Sequence, residues 1–220
     1  TLTDAAHKKL GEAYEHAEVH VSVEDPRGFL RRTSLRFRTI VFPLHDTQVP
    51  AALGALAATP SPANTIESLR AALDRLTPDG VILVSRWDVD FDRTLALAAL
   101  ALRDDGVADP SAHLFACGAA RSTGLLVSRA ALDAHEVAAL RAHCRKHRLN
   151  EAFAPDQAHG VLRQRLTTEA DVRAVAASAL GDLSVPTDDR PYYFASVPRG
   201  KPTLAVLQTS QQALLVLAAV

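Results

Sequence analysis

The chain has 220 residues, 48% of them hydrophobic and 22% charged, enough for one large domain or two small ones with a substantial core. A formal net charge of -1 gives no global pull on nucleic acid. Two cysteines, Cys117 and Cys144, exclude a disulfide framework or a cysteine zinc cluster. Methionine is absent, the start at Thr1 is polar, and the end at Val220 is apolar, so an internal piece of a longer protein is expected. A missing signal peptide therefore carries no meaning.

In chain order, Asp4 to Glu15 has helical spacing, with Thr3 or Asp4 as cap. Val19, Val21 and Val23 then alternate with polar residues, which predicts a strand over 17–23. Asp25-Pro26 breaks it, and 27–33 suits a short helical turn. Thr39 to Phe42 is a buried strand ended by Pro43. A loop from Leu44 to about Asn64 has room for a short helix at 51–58. A helix opens at Thr65 and stops at Asp79-Gly80, and Val81 to Ser85 is a fully apolar strand of the kind buried in parallel sheets. A helix is predicted over 93–103, and strands over 113–117 and 124–128 form an antiparallel hairpin. Leu132 to His147 is helical with Asp133 as cap, 148–153 is an edge strand, and 168–180 is a last helix capped by Thr167 or Thr168. The order predicts an α/β fold, mostly parallel with an antiparallel hairpin, with helices on both faces.

Several sites are absent from the sequence. No two of the ten glycines make G-x-G, and neither a Walker A loop nor G-x-S-x-G occurs. A dehydrogenase reading would need its dinucleotide loop outside this chain. His143 and His147 lie four apart on a predicted helix, but Arg141, Arg145, Lys146 and Arg148 crowd that turn. The stretch reads as a solvated basic face, and no metal site is expected. No aromatic residues interleave it, so nucleic acid is not an expected partner. Cys117 reads as a small buried hydrophobe. Trp87 follows the buried strand where ligand crevices of open sheets lie; it either packs its loop onto the core or stacks on a ligand.

Four segments taken in order carry a resemblance. They are V-E-D-P-R-G-F-L-R-R-T at 23–33, T-I-V-F-P-L-H-D at 39–46, T-I-E-S-L at 65–69 running to L-T-P-D-G-V-I at 76–82, and P-T-D-D-R-P-Y-Y-F at 186–194. Together they resemble the spermidine synthase-like proteins of the S-adenosylmethionine-dependent methyltransferase superfamily, most closely a bacterial subgroup fused to transmembrane segments. The resemblance spans nearly all of residues 10 to 195, and the closing T-D-D-R-P-aromatic motif is its most specific part.

The resemblance implies an incomplete Rossmann-like sheet whose first two strands are missing, with a reversed final hairpin. Residues 1–195 are then the C-terminal portion of the domain and 196–220 a tail. It also implies S-adenosylmethionine or its decarboxylated form as cofactor of the parent, with neither bound by this chain alone. Asp25 falls where the family places an acid near the adenine; read by itself, it is equally an Asx turn before Pro26. Asp46, with His45, is the nearest candidate base at the sheet tip, shifted from the family's position. Arg38 and Phe42-Pro43 stand where aminopropyltransferases carry aspartates, and 60–64 lacks the usual aromatic. Asp188, Asp189, Arg190 and Tyr192 read chiefly as a clamp for the chain end, with direct catalysis as the alternative.

Pro202 to Val220 carries no charge, but polar residues at 208–212 interrupt it. Ala213 to Val220 can begin a membrane span that continues further, and Arg199 and Lys201 would keep the domain cytoplasmic, on the inner membrane of a bacterium. The expected function is part of an aminopropyl- or methyltransferase acting on a polyamine or other amine, with a homodimer compatible. The alternative is a non-catalytic sensing or interaction domain that keeps the fold.

Overall fold

The computed structural model describes residues 19–44, 60–119, 121–157, 160–179 and 183–194. The helices predicted over 4–15 and 51–58, and the tail from 196, lie outside the described residues.

Local chemistry explains where the elements begin. Helix α1 (Pro26–Arg32) starts with proline in its first turn, and Asp25 caps it by accepting from the Gly28 N–H at 2.9 Å. Helix α2 (Ile66–Asp74) is capped by the Thr65 hydroxyl. Helix α3 (Phe91–Asp104) follows a 3-10 turn at Asp88–Asp90. Helix α4 (Ala134–Lys146) opens on a capping box in which Asp133 and Glu136 bond each other's backbone N–H. Two short helices follow, α5 (Val161–Thr168) and α6 (Val172–Ser178).

The strands are β1 (Phe37–Phe42), β2 (Leu76–Trp87), β3 (Leu114–Ala119), β4 (Ser122–Ser128) and β5 (Asn150–Phe153). They form one sheet in the order β1-β2-β4-β3-β5. Only β1 and β2 are parallel; the other three neighbouring pairs are antiparallel. The mostly parallel sheet expected from the element order is therefore corrected to a mixed, mainly antiparallel one. The cause is the two-residue link between β3 and β4, which forces them to run oppositely. It is β4, the returning strand of that hairpin, that docks on β2, so this contact is antiparallel too.

Three further expectations change. Helix α2 ends at Asp74 rather than at Asp79-Gly80, and β2 already opens at Leu76 rather than Val81. Residues 19–23 are not a strand: they pair with nothing among the described residues, and Val23 is 88% exposed. Alternating valines favour extension, but a strand needs a neighbour to bond. The last helix, α6, starts later than expected and its cap is Asp171, which accepts from the Ala174 N–H, rather than Thr167 or Thr168; α5 before it was not expected from the sequence. Thr167 and Thr168 instead turn their hydroxyls back onto α5 carbonyls.

The main core lies between one sheet face and helices α2, α3, α5 and α6. Helix α3 sits at its centre. Its alanines at 96, 98, 99 and 101 are buried, and such small side chains let the surrounding elements approach closely. Alternation sends Phe115 to the opposite face, where Val137 and Cys144 of α4 and Ala154 complete a smaller cluster. Cys117 packs against that cluster, and its thiol is pushed up to about 12 by burial and by the neighbouring Cys144. Helices thus cover both faces, as expected. Among the described residues, no helix is long and apolar enough to cross a membrane.

Candidate functional site

Because β1 and β2 are parallel, their carboxyl ends reach the same rim of the sheet, where Phe42-Pro43 and Arg86-Trp87 stand side by side. In open α/β sheets this rim is where ligand crevices form. The chain end at 186–194 closes over it through two backbone bonds. The Ile66 N–H donates to the Pro186 carbonyl at 3.0 Å, and the Ser61 N–H donates to the Pro191 carbonyl at 2.6 Å.

Between those anchors lies a tight turn in which Thr187 and Arg190 exchange backbone bonds. Asp188 at its tip is the hub. Its carboxylate accepts from the Arg27 guanidinium of α1 and from the Thr65 hydroxyl at 3.0 Å. Its N–H donates to Glu67 at 3.0 Å. One aspartate thus ties the chain end to α1 and to the first turn of α2. Charge-assisted bonds of this kind are stronger than neutral ones. Asp189, Arg190 and Tyr192 are exposed on the same turn. Among the motif's residues, Asp188 makes the side-chain contacts to α1 and α2 described above.

Asp25 stands two residues before Arg27, at the same corner, with one carboxylate oxygen committed to capping α1. A carboxylate has further acceptor capacity, so capping leaves room for a second donor. Trp87 is half-buried at the end of β2, in register with Ser122 of β4. Asp46 and His45 lie outside the described residues.

The structure brings in two residues that were not among the site candidates read from the sequence. Tyr193 is 1% exposed. Its hydroxyl lies 2.6 Å from the Thr94 hydroxyl and donates to the Asp90 carbonyl at 3.3 Å, while its own carbonyl accepts from Arg93. Burial, reinforced by the Asp90 carboxylate, pushes its phenol up to about 12 against the pull of Arg86, Thr94 and Arg93. The second residue is Arg86, 2% exposed, whose guanidinium lies 5.6 Å from the centre of the Tyr193 ring. Arg86 donates to the Ser85 carbonyl at 2.7 Å, to the Pro43 carbonyl at 3.3 Å and to the Asn64 side-chain oxygen. Asn64 is turned toward it because its amide N–H donates to the Ser61 hydroxyl at 2.7 Å. A signal for Arg86 was present: Ile82, Val84 and Arg86 occupy alternate positions of one strand, so a cation had to share the buried face.

No family model matches the chain, and no curated protein matches it. The site therefore rests on its own geometry.

Two spaces flank Arg86-Trp87. A small cavity of about 20 Å³ is lined by Phe42, Asn64, Leu69, Arg86, Thr94 and Tyr193, among others. A groove of about 330 Å³ is lined by Asp88, Phe91, Gly118, Thr123, Glu151 and Arg163, with Asn150 and two alanines. The groove has the size of a small-molecule site. Its charges are already engaged. Asp88 accepts from Thr123, Glu151 from Arg141 at 2.8 Å, and Arg163 donates to Asp92 at 2.7 Å. Gly118 fixes the groove wall, since a Cβ there would meet the Ser122 carbonyl oxygen at 2.3 Å and the Thr123 Cα at 2.9 Å. Both obstacles are backbone of the paired strand. Gly118→Ala is expected to destabilise the chain by about 1–3 kcal/mol, read as a lower urea midpoint. An unchanged midpoint would show that the hairpin can open at no cost.

Proposed function

We propose that this chain is the substrate-side portion of a spermidine synthase-like transferase that uses S-adenosylmethionine or its decarboxylated form. One observation carries the reading. The segments behind the resemblance are scattered from residue 23 to residue 194, and they converge at one rim of the sheet. Asp188 of the closing motif bonds Arg27 of the first segment and Thr65 and Glu67 of the third. Pro43 of the second segment accepts from Arg86, just beyond the third. The reversed strand β4 between β2 and β3 also supports it, because the resemblance implies a reversed final hairpin in a Rossmann-like sheet.

In this reading the acceptor amine attacks a methyl or aminopropyl carbon of the sulfonium in line. The new N–C bond forms as the C–S bond breaks, the electron pair stays on sulfur, and the amine proton passes to a base. Asp46 or His45 is the candidate base. Asp25 faces the adenine amine, and holding both reactants in line supplies much of the rate. Trp87 borders the acceptor, while Asp188, Asp189, Arg190 and Tyr192 close the rim. The parent protein is membrane-anchored, with this domain on the cytoplasmic side.

The test is calorimetric titration of the parent protein with each donor separately. Micromolar binding of the decarboxylated donor supports aminopropyl transfer, and of S-adenosylmethionine methyl transfer. No heat from folded parent with either donor would overturn the enzyme reading. A second reading, a non-catalytic domain that keeps the fold, is favoured by Arg86, since a buried cation at the end of β2 opposes a polyamine there.

A further inference from the structure

Arg86 presents an electrostatic imbalance that the clamp does not resolve. Its guanidinium is buried, yet its partners among the described residues are two carbonyls, one amide oxygen and one aromatic ring, all uncharged. Its Nε–H has no acceptor among the described residues. Buried cations in proteins are normally paired with an anion, and an unmet buried donor is destabilising. The same side chain lines the cavity of about 20 Å³. That is enough for roughly one water-sized particle, and most of the other walls are apolar: Phe42, Leu69, Val84 and Leu97.

We propose that this cavity is a binding site for a small singly charged anion, with Arg86 as its counter-ion and the Arg86 Nε–H as its donor. The size and the single positive charge select a halide, or one oxygen of a carboxylate group, over phosphate or sulfate. Asn64 accepts from the guanidinium Nη2, and the Tyr193 ring presents its face to the cation. The site is independent of the transfer reading: it needs neither donor nor acceptor, and it concerns this chain alone.

Thermal unfolding of the 220-residue chain tests it, in a buffer whose only anions are bulky sulfonates. Sodium formate, sodium chloride and sodium sulfate are added at matched ionic strength. A saturable stabilisation by formate or chloride is expected, with the folding equilibrium shifted about tenfold when the anion stands at ten times its dissociation constant. Response to formate alone assigns the site to a carboxylate group, and response to both assigns it to a free anion. Arg86→Met keeps the apolar stem and removes the charge, and it is expected to abolish the response. Chloride NMR line broadening by the wild-type chain, lost on adding formate, gives a second readout that does not depend on the variant folding. The proposal is overturned if sulfate stabilises equally, if wild type shows no response, or if Arg86→Met responds as wild type does.

Discussion

Tyr193→Ala is expected to lower the unfolding free energy by about 3–5 kcal/mol, the range for emptying a buried aromatic site. The ring is 1% exposed and forms one wall of the Arg86 environment, so its loss removes apolar contact and a cation–π partner together. Denaturant titration measures this directly. A loss below about 1 kcal/mol would mean that the chain end is not docked on the sheet rim. Tyr193→Phe keeps the ring and removes only the hydroxyl bonds to Thr94 and Asp90, so about 1 kcal/mol is expected. Both variants also remove the pH dependence that the phenol gives the wild-type chain. The Tyr193 phenol is pushed up from its ordinary 10.0 to about 12 by burial first and by the Asp90 carboxylate second. Its contribution is therefore complete below about pH 10 and is lost as pH rises toward 12, because the unfolded phenol ionises first. The difference is roughly 2–3 kcal/mol. Subtracting the Tyr193→Phe curve from that of wild type isolates it, and parallel curves across that window would refute the assignment.

Leu95→Ala is the second large effect, at about 2–5 kcal/mol. Leu95 is fully buried in α3, the helix that touches α2, α5 and α6 as well as the sheet. Neighbours on so many sides cannot all collapse into the space left by three carbon positions, and a cavity remains. A lower urea midpoint with an unchanged slope is the expected signature. Val23→Ala serves as the contrast: Val23 is 88% exposed, and a change within about 0.5 kcal/mol is expected there. Equal effects at the two positions would contradict the packing described for α3.

Element identity was legible wherever a residue's own chemistry decided it. Asp133 with Glu136 announced the start of α4, and the apolar run at 81–85 announced β2. The hairpin of β3 and β4 followed from the short link between two apolar runs. Reading failed where partners decide. The valines at 19, 21 and 23 have strand periodicity but no strand beside them among the described residues. The site divides in the same way. Asp188 stood out because a second acid, an arginine and a proline follow it in sequence. Its work depends on Arg27, Thr65 and Glu67, which no local pattern connects to it. Tyr192 and Tyr193 are chemically equivalent in sequence, yet one is exposed and the other buried.

By itself, the sequence determined the starts of α2 and α4, the apolar centre of β2 and the β3–β4 hairpin, because caps, periodicity and loop length act over a few neighbouring residues. Only the tertiary structure decided strand order and direction, since pairing β4 rather than β3 with β2 is a choice between distant segments. It also decided that Arg86 is enclosed without a charged partner among the described residues. Burial is a property of everything packed around a side chain, and for Arg86 that surrounding comes from 43, 64 and 193, positions far apart in the chain.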